Sequence, residues 1–282
     1  MTDKQVLKDA HASVSVIVVD VHPEIWQLRA DYGEDSHARF EDMLSSLIVF
    51  CNAYLLLHRD NKLCIIANHP AGAEVVYPRV RDAGNMSPPA HLLGPLLAER
   101  LLELHKMPST EGAFVPSFPQ ALSTALCIFS SQLRESPQLQ PRLVLLQLSK
   151  DHAYTYNAVM NCIFSAQKLG VQVDAVVFGR QDSSFLQQAC FITGGVYLRP
   201  EDQRAHLQLM MTHILPSNFL RTILRARPQA SIDNQASCFC HSKPKEFVYM
   251  CSVCLGLACE HTAQQGSGRC GTCGTRSKAA LV

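Results

Sequence analysis

Two Cys-x-x-Cys pairs near the carboxyl end of the chain have the clearest chemical meaning in this sequence. Cys251 and Cys254 form the first pair, and Cys270 and Cys273 form the second. Each pair can point two sulfurs at one position, and four thiolates can hold one zinc ion tetrahedrally with bonds of about 2.3 Å. Four protein ligands leave no position for water or substrate, so the predicted ion is structural rather than hydrolytic.

Five further residues in the same segment could ligate a second zinc ion. They are Cys238, Cys240 and His241 in one group, and Cys259 and His261 in another. If these groups alternate with the Cys-x-x-Cys pairs in a cross-brace, they share a second ion; otherwise they are free thiols and solvated imidazoles. The sequence leaves both arrangements open, and both assign the four paired cysteines to one site.

A third candidate group consists of Asp20, His22 and Glu24, which follow an apolar run at residues 14–19. If that run is a strand of a parallel sheet, the three side chains lie at its carboxyl end, where open sheets bind ligands. The loop lacks the glycine patterns of dinucleotide and phosphate sites. Because no nucleophile or oxyanion motif accompanies the group, an acid–base pair is not expected, and the simpler role for Asp20 is to cap a turn or pair locally.

The composition is that of a folded protein with little charge. Of the 282 residues, 47% are hydrophobic and 17% are charged, which excludes a disordered chain, and a formal net charge of +1 gives no strong field for nucleic acid. The first twelve residues are polar, and the longest apolar run, residues 47–57, contains Asn52. We therefore expect an intracellular protein without a secretory signal or a membrane span, in which clustered cysteines favour a metal over disulfides.

Alternating segments predict the elements that must position these groups. Apolar runs predict strands at 14–19, 63–67, 74–77, 143–146, 171–178 and 196–198, and helical periodicity predicts helices at 36–57, 92–104, 121–129, 154–169, 185–191 and 202–215. The strands at 63–67 and 74–77 are expected to form a hairpin at a sheet edge. The pattern predicts an α/β domain with a parallel sheet and helices on both faces.

The same pattern divides the chain into five parts. They are an N-terminal tail (1–13), the α/β domain (14–225), a polar linker (226–237), a small zinc module (238–276) and a C-terminal tail (277–282). The module is too short to build a core from apolar side chains alone, a size at which a metal commonly supplies stability. The other five cysteines are expected to be small core residues: Cys51, Cys64, Cys127, Cys162 and Cys190.

The α/β part resembles a von Willebrand factor A domain. The resemblance rests on the strand that ends at Asp20, the long helix after it, the edge hairpin, the helix containing Ala121-Leu122, and the stretch from Leu186 to Tyr197. It implies a doubly wound, mostly parallel sheet with helices on both faces.

The same resemblance bears on the group at the end of the first strand. Many A domains hold Mg²⁺ through an Asp-x-Ser-x-Ser loop, whereas this chain keeps only Asp20, and His22 and Glu24 replace the serines. Since Mg²⁺ needs several well-placed oxygens, the resemblance implies a degenerate metal loop that holds no ion.

The order of the two modules resembles the smaller A-domain subunits in the core of general transcription factor IIH, the 34-kDa subunit family. The most specific part is the tail, with Cys-Phe-Cys-His at 238–241 and Tyr-Met-Cys-Ser-Val-Cys-Leu at 249–255. The resemblance implies a C4-type or RING-like zinc module. It also implies a non-catalytic scaffold that acts in RNA polymerase II transcription initiation and nucleotide-excision DNA repair.

That family resemblance further implies work in the nucleus within a larger assembly. The implied partners are the other factor IIH core subunits, above all the larger subunit that has an A domain and a RING. Association with DNA and RNA polymerase II would be indirect, and no membrane contact is expected.

Two other functions stay open from the residues alone. A RING-type ubiquitin ligase would use the alternating thiolate pairs, although the second ligand set has irregular spacing. A Mg-dependent A-domain ligand-binding protein would use Asp20, although the loop serines are missing. A ubiquitylation assay and Mg²⁺ calorimetry respectively separate these functions from the scaffold.

Overall fold

A six-stranded sheet lies at the centre of the fold. The computed structural model describes residues 12–23, 26, 40–78, 90–107, 118–152, 155–178, 182–200, 205–224, 238, 247–254, 256–260, 269–270, 273–276 and 280–281. The strands run in the order β3-β2-β1-β4-β5-β6, and all are parallel except β3. Their bounds are β1 Ser13–Asp20, β2 Lys62–His69, β3 Gly72–Tyr77, β4 Gln140–Gln147, β5 Gln172–Val177 and β6 Tyr197–Leu198.

Helices cover both faces of this sheet. On one face lie α1 (Phe40–Leu57), α2 (Ala90–His105) and α6 (His206–Leu209), which continues as a π-helical turn over Met210–Ile214. On the other face lie α3 (Phe118–Glu135), α4 (Tyr156–Lys168) and α5 (Ser184–Thr193). A short helix, α7 (Asn218–Leu224), follows the π-helical turn.

The alternation of side chains along β1 explains why both faces are covered. Val14, Val16 and Val18 belong to the core on one side of the sheet, and Ile17 and Val19 belong to the core on the other. All eight residues of β1 are buried. A strand that is apolar on both sides needs a layer of helices on each, which is the arrangement of a parallel α/β sheet.

Most of the predicted elements are confirmed, including the β2–β3 hairpin at the sheet edge. The helix predicted over 36–57 is described from Phe40 onward, and residues 36–39 lie outside the described residues. The helix predicted over 202–215 is described from His206 and ends as a π-helical turn. Helix α7 was not predicted, although Leu220, Ile223 and Leu224 have the i, i+3, i+4 spacing of a helix with one apolar face.

A second, much smaller sheet lies in the C-terminal part. It consists of β7 (Tyr249–Met250), β8 (Leu257–Ala258) and β9 (Ala280–Leu281), in the antiparallel order β8-β7-β9. Two-residue strands cannot stabilise a module by themselves, which agrees with a need for a metal or another cross-link.

The five scattered cysteines differ in burial. Cys51, Cys64 and Cys190 are buried as predicted, and Cys162 is half-buried. The prediction for Cys127 is wrong, because its side chain is exposed on α3. Helical geometry explains the difference: Ala125 and Phe129 point to the sheet, and the intervening position 127 turns to the opposite face.

Among the described helices, one helix, α1, has the length and the apolar composition that a membrane span would need. Length and composition are the only two criteria that it meets. Its buried residues pack in the core: Phe40, Met43, Leu44, Leu47, Phe50, Cys51 and Tyr54. A helix that lies between a sheet and its neighbours has the same composition, so we assign its apolarity to core packing.

Two adjacent glycines at the end of α5 make a testable contrast. Gly194 has a φ of +71°, and a β carbon added there would have no atom within 4 Å, whereas a β carbon on Gly195 would lie 1.8 Å from the carbonyl oxygen of Val173. We expect Gly195→Ala to lower the free energy of unfolding by roughly 3 kcal/mol through steric overlap. Gly194→Ala should cost about 1 kcal/mol through its left-handed backbone alone. Urea unfolding of the two variants checks this order, and equal losses would contradict it.

Candidate metal centre

The four cysteines of the two Cys-x-x-Cys pairs come together in the folded chain. The Sγ atoms of Cys251, Cys254, Cys270 and Cys273 all lie within 4.8 Å of one another. Cys251 Sγ is 3.9 Å from Cys273 Sγ, and Cys254 Sγ is 3.7 Å from Cys270 Sγ. Four sulfurs bound to one tetrahedral zinc ion lie about 3.8 Å from one another, so the spacing fits such an ion. It is far longer than the roughly 2.05 Å of a disulfide bond.

Two similar backbone turns position these sulfurs. The Cys251 N–H donates to the carbonyl of Gly256 at 3.0 Å, and the Cys270 N–H donates to the carbonyl of Thr275 at 2.9 Å. Each turn thus spans six residues of the sequence and holds one Cys-x-x-Cys pair. Gly274, with a φ of +70°, lets the second turn close without strain.

Strand pairing anchors both turns. Strand β7 ends immediately before Cys251 and pairs with β8 and β9, and Arg269 forms a bridge with Arg276 across the second turn. The sequence therefore creates the site locally, through two turns that are each tied at their base.

Burial and hydrogen bonds give the thiols of the site different pKa values. Burial raises the pKa of Cys254 to about 12, and its contacts with the other three thiols add to the rise. The Thr275 hydroxyl lies 2.7 Å from Cys273 Sγ and, by donating to it, lowers the pKa of that thiol. Adjacent thiolates repel one another, so a divalent cation is the natural partner for four of them in this position.

The described residues contain one cluster of potential metal ligands, and it is this set of four cysteines. Of the five residues predicted for a second zinc ion, Cys238 and Cys259 are buried. Cys240, His241 and His261 lie outside the described residues, so the second site stays a prediction.

The group at the end of β1 is placed at the carboxyl edge of the sheet. Asp20 is buried, and its Oδ2 accepts the backbone N–H of Ser149 at 2.9 Å and that of Leu148 at 3.4 Å. This carboxylate therefore ties the end of β1 to the loop after β4. His22, two residues after Asp20 in the chain, is also buried, and Glu24 lies outside the described residues. That the loop holds no ion stays a prediction.

A second carboxylate at this edge ties two more elements together. Asp151 Oδ1 accepts the hydroxyl of Ser183 at 2.7 Å, and its Oδ2 accepts the backbone N–H of Phe185 at 3.2 Å. Burial raises the pKa of Asp151, and these hydrogen bonds oppose the rise. Asp151 thus holds the first turn of α5 against the loop after β4.

A buried ionic cluster at the opposite, amino-terminal edge was missed by sequence reasoning. Asp174 on β5 accepts two hydrogen bonds from Arg221 on α7, at 2.7 and 2.6 Å, and one from Arg142 on β4 at 3.4 Å. The side chains of Asp174 and Arg221 are 0% exposed. The sequence does contain a signal for this cluster, because Asp174 lies inside the apolar run Val-Asp-Ala-Val-Val at 173–177. A charged residue inside a buried strand needs a partner of opposite charge.

Backbone carbonyls complete this cluster. Arg221 also donates to the carbonyls of Ile214 and Pro216, at 2.8 and 3.1 Å, and Arg142 donates to the carbonyls of Ile214 and, at 3.2 Å, Leu215. The two guanidinium groups therefore satisfy the carbonyls at the end of the π-helical turn and fix α7 to the sheet.

These features define a class of protein. The sheet order, the single antiparallel edge strand, the two layers of helices and the acid at the end of β1 are those of a von Willebrand A-type domain. A solved von Willebrand factor type A protein from Catenulispora acidiphila superimposes with a TM-score of 0.51 at 18% identity, over 71% of this chain and 41% of that one.

The particular family follows from the chain as a whole. The family model described as transcription factor Tfb4 matches residues 12–274, and the chain belongs to that family. General transcription and DNA repair factor IIH subunit TFB4 of Arabidopsis thaliana is 34% identical over 93% of this chain and 88% of its own length. The crystal structure of the TFIIH p34 N-terminal domain superimposes with a TM-score of 0.61 at 26% identity, covering 72% of this chain and 98% of that one.

Proposed function

We propose that this protein is a non-catalytic scaffold subunit of the factor IIH core and acts in RNA polymerase II transcription initiation and nucleotide-excision DNA repair. The observation that carries the proposal is the family match over residues 12–274, which includes both the α/β domain and the cysteine module. Relatives named as factor IIH subunits, such as the one in Arabidopsis thaliana, match over nearly the whole chain.

We propose Zn²⁺ as the ion at the four-cysteine site. Four thiolates in a tetrahedral set favour zinc over the hard cations Mg²⁺ and Ca²⁺, which take oxygen ligands. With all four positions filled by protein, the ion would hold the module together and would not activate water. We also propose the limits of the two folded parts of the chain, which are the α/β domain at 14–225 and the zinc module at 238–276.

The proposed partners are the other core subunits of factor IIH, above all the larger subunit with an A domain and a RING. Contact with DNA and RNA polymerase II would pass through those partners, and the place of action would be the nucleus. The near-neutral net charge supports contacts with proteins over direct steering to nucleic acid.

Copurification tests the scaffold role. A tagged full chain expressed in its own cells should recover the other factor IIH core subunits from nuclear extract in near-equal amounts. Mass spectrometry of the eluate measures this, with an untagged strain as the control. Recovery of the chain without any other core subunit would contradict the proposed function.

A ubiquitylation assay tests the absence of catalysis. The purified full chain, incubated with activating enzyme and a panel of charged conjugating enzymes, should not accelerate ubiquitin chain formation above the rate without it. A known RING ligase serves as the positive control, and chain formation by this protein would favour the ligase alternative.

A further inference from the structure

Two arginines lie opposite each other at the base of the second Cys-x-x-Cys turn, and we name Arg269 and Arg276 the arginine pair. They form an antiparallel bridge, and just inside it the Cys270 N–H donates to the carbonyl of Thr275 at 2.9 Å. A bond in this position makes the arginines a non-hydrogen-bonded pair, in which facing Cα atoms are about 4.5 Å apart and both side chains leave the same face. Both arginines are exposed. The turn therefore holds two guanidinium groups side by side at the surface.

This placement is unfavourable for the chain by itself. Like charges that lie directly opposite each other on paired strands destabilise the pairing. Among the described residues, neither member of the arginine pair has an ion pair or a hydrogen bond to a carboxylate, whereas Arg100, Arg199 and Arg221 each pair with an acid. An anion between the two guanidinium groups would replace their repulsion with two charge-assisted hydrogen-bonding contacts.

The thiolates of the metal site are the nearest negative charge in the sequence, since a zinc ion with four thiolates keeps a net negative charge. Successive side chains on paired strands point to opposite faces. Cys270 and Thr275, the inner neighbours of the bridge, therefore point away from the face that carries the arginine pair. Cys270 is half-buried, in agreement with this alternation. The arginine pair is thus directed outward and is available to an anion from outside the module.

The surroundings of the arginine pair favour a carboxylate of a protein over the phosphates of a nucleic acid. Guanidinium groups bind both kinds of oxyanion through two parallel N–H donors. Binding to a nucleic acid depends on several cations that follow its backbone. The described residues of the cysteine module contain one further charged residue, Glu260, and the whole chain has a formal net charge of +1. In the described part of the module, the arginine pair is therefore an isolated site and not part of a basic track.

We propose that the arginine pair binds an aspartate or glutamate side chain of another factor IIH core subunit, with the carboxylate held between the two guanidinium groups. This inference rests on the proposed function. It gives the cysteine module a binding role, because the turn that presents two of the four thiols also fixes the distance between the two arginines. The metal site would position the arginine pair without contacting the partner.

Removal of both charges tests the assignment. The full chain with Arg269→Ala and Arg276→Ala should bind the reconstituted remaining core subunits about tenfold more weakly than the unchanged chain, as two exposed charge-assisted contacts are lost. Biolayer interferometry measures the Kd, and high salt should reduce the difference because it screens exposed charges. The matched control combines Arg59→Ala and Arg134→Ala, which remove two exposed arginines of the α/β domain and should change the Kd less than about twofold.

A single charge reversal separates binding from folding. In Arg276→Glu the new carboxylate faces Arg269 across the bridge, and an opposite-charge pair in this position stabilises the strands. The zinc content and the thermal unfolding of this variant should therefore equal those of the unchanged chain. Its binding to the core subunits should nevertheless be at least about tenfold weaker, because the carboxylate site is now occupied from within the chain.

The outcomes distinguish the possible failures. Binding of the double alanine variant within twofold of the unchanged chain would overturn the assignment, and so would loss of zinc from Arg276→Glu, which would give the arginine pair a structural role. A double variant that binds a short duplex DNA probe more weakly but binds the subunits normally would identify phosphates as the ligand and overturn the proposal. Failure of the unchanged chain to bind any core subunit would instead overturn the proposed function.

Discussion

Replacing Asp174 with asparagine is expected to lower the free energy of unfolding of the α/β domain by about 3–5 kcal/mol. The carboxylate of Asp174 is fully buried and is shared by the guanidinium groups of Arg221 and Arg142. Asparagine has nearly the same shape but no charge, so two buried cations would be left without an anion. Urea unfolding of the full chain, followed by far-UV circular dichroism, measures the loss.

The matched control is Asp182→Asn. Asp182 pairs with Arg199 at 3.1 Å, but the side chains are 45% and 39% exposed, so solvent screens the pair and its loss should cost less than about 1 kcal/mol. Adding Arg221→Met to Asp174→Asn should restore part of the stability, because one uncompensated charge is removed. If Asp174→Asn cost no more than Asp182→Asn, the cluster would not be a principal support of the fold.

Replacing Cys251 with serine is expected to remove one zinc ion per chain and to unfold the cysteine module. In small metal-dependent modules the free energy of metal binding is the free energy of folding, with apparent values of about 10–16 kcal/mol for structural zinc. The two-residue strands of the small sheet cannot replace that contribution. Elemental analysis of the purified full chain measures the zinc, and hydrogen exchange of residues 247–276 measures the unfolding.

The control for this experiment is Cys127→Ser, which removes an exposed cysteine of α3 and should leave the zinc content and the exchange rates unchanged. Loss of one ion of two in Cys251→Ser would support a second site that includes Cys238 and Cys259. Equal zinc content in Cys251→Ser and the unchanged chain would contradict the four-cysteine site.

The elements of the α/β domain could be predicted because each depends on a local pattern. The β-branched run at 14–19 is buried on both faces, and the spacing of Phe118, Ala121, Ala125 and Phe129 gives α3 one face against the sheet. The four-cysteine site belongs to the same category, since each Cys-x-x-Cys pair lies on one short turn. In each case, residues close in sequence carry the information.

The orientation of helix α7 could not be predicted, although the spacing of its apolar residues indicates a helix. A prediction from local periodicity takes the apolar side of a helix as its buried side. In α7 the buried side is the one that contains Arg221, because Arg221 donates to the buried carboxylate of Asp174. The exposure of Cys127 could have been predicted, because the inward spacing of Ala121, Ala125 and Phe129 places position 127 on the opposite face of α3.

The sequence by itself determined the alternation of strands and helices and the four thiols that can hold one metal ion, because 2-residue and 3.6-residue periods and Cys-x-x-Cys turns are properties of short segments. Only the tertiary structure decided that Asp174 meets Arg142 and Arg221, 32 and 47 residues away, and that α7 turns its apolar stripe outward. A buried charge is stable only where distant parts of the chain bring an opposite charge to it. That condition depends on how the strands are ordered in the sheet and on how the helices pack against it.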